Sequence, residues 1–167
     1  MDLTLDGNWN TGDTDDDGHF WVSLYGKAWV KIDVDPRRST YGTILARGTA
    51  TSANNVADWA FVKGGGNYLY GLQSAMTTNS KTAVARFSLD TQKWETLQDL
   101  GFIAGTNTWG AVYAVGPMLI YASENTSGVI YRFNLATYEK SLVVQGPKTS
   151  QNDGARCINA SPPGSGS

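Results

Sequence analysis

One cysteine, one histidine and a charged-residue content of 17% set the first limits on this chain. Cys157 and His19 stand alone, so neither a Ser-His-Asp triad nor a Cys-His pair finds its partners, and zinc would lack ligands. The fifteen acidic residues leave many carboxylate pairs, yet no spacing singles out an acid and a base for glycoside hydrolysis. The expectation is a chain without catalysis. No run of 18 apolar residues is present, which argues against a membrane-spanning helix. A formal charge of -2 and a pI near 5.2 provide no basic field for a phosphate backbone, so nucleic acid is excluded as the expected partner. Met1-Asp2-Leu3-Thr4 carries neither the basic region nor the apolar stretch of a secretory leader. No window shows a helical stripe.

What is abundant is glycine, at 19 residues, together with 6 Trp and 8 Tyr, a composition suited to short strands joined by tight turns. A module recurs three times and opens a fourth. Its openings are Gly12-Asp13-Thr14-Asp15, Asp58-Trp59-Ala60-Phe61, Trp109-Gly110-Ala111-Val112 and Asn152-Asp153-Gly154-Ala155. The anchors Gly12, Asp58, Gly110 and Asp153 are 46, 52 and 43 residues apart, which fits one four-stranded propeller blade per repeat. Second strands are expected at Phe20 to Leu24, Tyr68 to Leu72 and Leu119 to Ser123. Third strands share one pattern in Val30-Lys31-Ile32-Asp33-Val34, Ala85-Arg86-Phe87-Ser88-Leu89 and Tyr131-Arg132-Phe133-Asn134-Leu135: a basic residue, a large apolar one, a polar one, another apolar one.

These observations predict an all-β, β-propeller-like domain over 1–160. Blades fall at about 9–50, 51–105 and 106–148, with a closing strand at 149–160, and 161–167 reads as a flexible linker. Three blades and one strand do not close a ring, which predicts completion by another copy or by preceding repeats.

The runs Gly12-Asp13-Thr14-Asp15-Asp16-Asp17-Gly18, Ala57-Asp58-Trp59-Ala60 with Tyr68-Leu69-Tyr70-Gly71, Trp109-Gly110-Ala111-Val112-Tyr113, Gly128 to Leu135 and Asn152-Asp153-Gly154-Ala155-Arg156-Cys157 occur in one order. As a set they resemble a domain-of-unknown-function family of bacterial and fungal secreted or surface proteins that is itself similar to a small β-propeller. The resemblance implies an extracellular or cell-surface location and further repeats before the first one seen here. It implies no activity.

Two sites are expected. The turn Asp13-Thr14-Asp15-Asp16-Asp17-Gly18 places Asp13, Asp15 and Asp17 at alternate positions, where carboxylates converge on one hard cation such as Ca2+. The twelfth position from Asp13 is Leu24 instead of a bidentate Glu, so a helix-flanked calcium loop is excluded. The alternative is an acidic hairpin turn whose carboxylates bond local amides. The second site is a ring at one end of the channel, formed by Trp9, Asp58, Trp59, Asn107, Trp109, Asn152 and Asp153. Carboxylate and amide acceptors beside Trp faces suit a glycan, which makes a carbohydrate-binding, lectin-like module the leading functional expectation. The alternative reading is structural: Asp satisfies neighbouring amides, Trp fills the wedge between blades, and the chain is an assembly module that self-associates through unpaired edges.

Smaller signals remain. Gly64-Gly65-Gly66 precedes a strand and not a helix, so it reads as a hairpin turn instead of a phosphate loop. Cys157 is either a buried thiol or, as the resemblance implies, half of a disulfide with an upstream Cys. Asn125-Thr126-Ser127 and Asn159-Ala160-Ser161 match the N-glycosylation pattern, the first at an expected surface turn.

Overall fold

The structure, a computed structural model, describes residues 7, 9–52 and 54–155. Cys157, Asn159 and the expected linker at 161–167 lie outside the described residues. The described chain forms twelve strands and no helix. They are β1 (Thr11–Thr14), β2 (His19–Leu24), β3 (Ala28–Asp33), β4 (Ile44–Thr49), β5 (Asn55–Phe61), β6 (Tyr68–Ser74), β7 (Thr82–Ser88), β8 (Trp94–Gly101), β9 (Trp109–Ala114), β10 (Leu119–Glu124), β11 (Val129–Asn134) and β12 (Lys140–Gln145). Each consecutive group of four makes one antiparallel meander, giving three four-stranded sheets with a blade-like arrangement.

Alternation along the middle strands explains how the sheets stack. Successive side chains of a strand point to opposite faces, so Trp21 and Trp29 of the first blade project toward the second, where they meet Trp59, Phe61, Leu69, Phe87 and Leu89. Trp59 stacks on Phe87 with centroids 5.5 Å apart, and Trp21 meets the Phe87 ring edge-on at 6.2 Å. On its other face the second blade offers Tyr70, Leu72 and Val84 to Trp109, Val112, Ile120, Ala122 and Phe133 of the third. Trp109 stands at right angles to Phe133, 5.4 Å away. The large aromatics are wedges between blades, each burying roughly 150–250 Å² of apolar surface.

The first strand of each blade is innermost. β1 lies beside β5, and β5 beside β9. The fourth strands β8 and β12 face outward and are largely exposed; Leu142, Val143 and Val144 on β12 are exposed apolar residues. Every fourth strand pairs through a register irregularity, at Lys31/Ile32, Val84/Ala85 and Ile130/Tyr131. Such bulges raise the local twist of an edge strand, which discourages further pairing there.

Tyr25 and Gly26 close the β2–β3 hairpin with φ of 51° and 75°, and Lys27 N–H donates to Leu24 O at 3.0 Å. Two consecutive left-handed residues define the turn that matches strand twist. A tyrosine at the first of them places a ring at the rim of the cleft described next.

Candidate functional site

The inner strands all begin at the same end of the blade array. There a cavity of about 880 Å³ opens between β1 on one side and the segment Ser150 to Ala155 on the other. Thr11, Gly12, Phe20 and Val22 form the β1 wall, Ala57 and Gly110 contribute from β5 and β9, and Trp9, Tyr25 and Met76 stand around it.

Of the seven residues expected to bind ligand, Trp9, Asn152 and Asp153 line this cavity, and four do not. Asp58, Trp59, Asn107 and Trp109 are at most 1% exposed, so packing keeps them from any ligand. Trp59 Nε1 donates to Trp21 O at 3.3 Å, and Trp109 Nε1 to Thr82 Oγ1 at 2.9 Å. Asn107 Oδ1 accepts from Thr82 Oγ1 and from the Ile103 and Ala104 amides, while its Nδ2 donates to Ser80 O. With φ of 54°, Asn107 is the left-handed residue that turns the chain into β9. These four residues join blades instead of lining a sugar site.

Asp58 shows how the joining works. Its Oδ1 accepts the amide of its own neighbour Trp59 at 2.8 Å, and its Oδ2 reaches the next inner strand to accept Val112 N–H at 2.6 Å. Asp13 repeats the arrangement one blade earlier, with Thr14 N–H at 2.8 Å and Phe61 N–H at 2.7 Å. An innermost strand has one edge without a partner strand, and each carboxylate satisfies an amide that this edge leaves unpaired. Burial pushes Asp13 up to about 6 against the pull of its two amides. Burial also pushes Asp58 well above the usual carboxylate range, helped by the nearby negative charges of Asp153 and Asp13.

Beyond β9 the pattern changes, because the third blade has Gly110 near the place of the carboxylate. A Cβ there would lie 2.4 Å from both Asn125 Oδ1 and Asn152 Oδ1, so only glycine admits the two amide oxygens. Thr149 N–H donates to Asn125 O, and Asn152 Nδ2 to Ser123 Oγ, which ties the 149–155 segment alongside β9. Asn125 is 8% exposed and turned inward, which corrects the expectation of an open glycosylation site at this turn.

The acidic turn resolves into separate tasks. Asp15 is buried and accepts from Asp17 N–H, His19 N–H, His19 Nδ1 and Trp21 Nε1, all between 2.8 and 3.1 Å. Arg38 donates to His19 Nε2, which leaves the His19 proton on Nδ1. Asp13 is engaged with β5, and Asp17 is exposed, its carbonyl held by Arg38 Nη2 at 2.6 Å. Among the described residues no group of three or more His, Cys, Asp or Glu side chains is placed to hold a metal ion. The carboxylates of Asp13, Asp15 and Asp17 are not brought together.

Two further clusters carried no sequence signal. The Thr40 hydroxyl, more than any charge, holds Asp33 below the ordinary carboxylate range, and hydrogen bonds from Arg37 do the same for Asp35. Glu124 is fully buried and accepts from the Thr106, Thr108 and Ser127 amides and from two hydroxyls. The unit it binds is the pair of loops flanking β9 and β10, so its part is structural.

Three four-stranded meanders joined by inner-strand carboxylates match the expected repeat, and the family defined as a repeat of unknown function, DUF6923, covers residues 2–159. The chain belongs to the DUF6923 family. No curated protein matches this DUF6923 chain. Among solved structures it is similar to U3-55K, at 10% identity and a TM-score of 0.46 over 83% of its own length. It is similar also to the extracellular domain of BT4673 from B. thetaiotaomicron, at 10% identity and a TM-score of 0.46 over 81%. The DUF6923 chain spans 52% of the first of these and 18% of the second. No helix among its described residues is long and apolar enough to cross a membrane.

Proposed function

We propose that the chain is a non-catalytic assembly module, a three-blade segment that joins further blades at the cavity between β1 and the 150–155 segment. One observation carries this reading. Phe20 and Val22 face that cavity, and the shared third-strand pattern aligns them with Leu69 and Gly71 of the second blade and Ile120 and Ala122 of the third. In those two blades this is the face that packs on the preceding blade. The first blade thus offers the same kind of face to a preceding blade.

A second reading has its own support. Trp9, Asn152 and Asp153 put an aromatic ring, an amide and a carboxylate around one cavity, the combination that suits a carbohydrate at the cell surface or outside the cell. The two occupants compete for one space. Light scattering on the purified chain and a glycan array separate them: the assembly reading expects an empty array, with a defined oligomer where the further blades come from another copy. A monomer that captures glycans, and loses them in Trp9→Ala, would replace it.

A further inference from the structure

Asp153 completes a series. Asp13, Asp58 and Asp153 each turn Oδ1 onto the amide of the following residue, Thr14, Trp59 and Gly154, at 2.8 Å in all three cases. In the first two the other oxygen accepts an amide from the next inner strand, Phe61 or Val112. In Asp153 the other oxygen takes no amide among the described residues, and the side chain is exposed at the edge of the cavity.

The matching donor lies across that cavity. Gly12 pairs with Val22 and Val22 with Val30, while Val112 pairs with Ala122 and Ala122 with Tyr131; Val30 and Tyr131 begin the same third-strand pattern. Gly12 is therefore in register with Val112, the residue whose amide Asp58 holds. Asp15 N–H bonds His19 O within the hairpin, and residues of one strand alternate in direction, so Gly12 N–H points away from β2 as Val112 N–H points away from β10. One chain carries the acceptor at one end of its blade array and the donor at the other.

We infer that a second copy of this chain is the partner, docked head to tail with its Gly12 amide on Asp153 and its Phe20 and Val22 against the 150–155 segment. The inference rests on the assembly reading and gives it a partner. It continues the interface already built between β1 and β5 and between β5 and β9, one carboxylate on one amide at each step. Head-to-tail contacts between identical subunits either close into a ring or propagate.

The experiment is sedimentation and light scattering of the wild type, Asp153→Ala and Asp153→Asn over a concentration series, with thermal melts of each. Because Asp153 is exposed, all three should melt together if compared as monomers. The expected result is a wild-type oligomer and loss of at least an order of magnitude in association for both Asp153→Ala and Asp153→Asn, because Asn keeps Oδ1 on the Gly154 amide and sets a donating Nδ2 where the docked amide needs an acceptor. Equal association of Asp153→Ala and wild type would overturn the docking mode. A wild-type monomer at every concentration overturns the second copy as partner: with no glycan binding it leaves blade joining intact, and with Trp9-dependent glycan binding it removes the assembly reading as well.

Discussion

At the scale of single residues, the buried carboxylates set how stability responds to pH. Asp13 holds its proton up to about pH 6 in the folded chain and releases it near pH 4 when unfolded, so the folded state binds more protons between those values. Stability from this group is full below pH 4 and falls as pH rises through 6, by about 3 kcal/mol at most. Asp58 is shifted in the same direction and extends the fall to higher pH. Asp33 and Asp35 act oppositely, because their lowered values make stability fall as pH drops below 4. Chemical denaturation should therefore find the chain most stable between about pH 4 and 5 and weaker at pH 7.5. A stability that rises steadily to neutral pH would contradict the raised values that burial gives Asp13 and Asp58. Gly110→Ala is the second residue-scale prediction. The new methyl group must displace Asn125 or Asn152, at a cost of about 1–3 kcal/mol, and limited proteolysis should cut the 149–155 segment faster than in the wild type.

At the scale of elements, the inner strands and their aromatic wedges hold the blades together. Trp59→Ala and Trp109→Ala should each lower stability by about 3–5 kcal/mol, since both rings are fully buried. Trp9→Ala, with a partly exposed ring, should cost far less, and urea melts of the three variants would rank them. The acidic turn predicts a null response: with Asp15 already holding four donors, neither calcium nor a chelator should move the melting temperature. A stabilisation that saturates with calcium would restore the cation reading of Asp13, Asp15 and Asp17. Strand positions were legible because period-two alternation and the repeated third-strand pattern are local properties. The tasks of the site residues were not, because Asp58 meets Val112 54 residues away and Asp13 meets Phe61 48 residues away. The irregularity between Val56 and Trp59 moved Asp58 off the strand position held by Asp13, so sequence spacing aligned them only roughly. Tyr25 on the cavity rim offered no cue, since its left-handed φ belongs to a turn usually filled by Asn or Gly.

At the scale of the molecule, three sheets share two aromatic interfaces and one open cavity. The all-β, blade-like class followed from composition and repeat length. The expected ring of ligand-binding residues falls at the end of the array where the cavity opens, because strand openings lie together there. It named packing residues among its members, because Asp and Trp serve a blade junction as well as they serve a sugar. Removing Phe20 in a Phe20→Ala variant should weaken self-association while leaving the two internal interfaces intact, which analytical ultracentrifugation beside a thermal melt would resolve.

Gly110 also decides where the chain would give way. Both junctions between blades carry a carboxylate bridge, whereas among the described residues the 149–155 segment is tied to the third blade by the Thr149 backbone bond and the longer Asn152–Ser123 bond, beside the close approach of Gly110. Under load this makes a mechanical fuse beside β9: the 149–155 segment should peel from β9 at lower force than the three blades, which then part as larger, discrete steps.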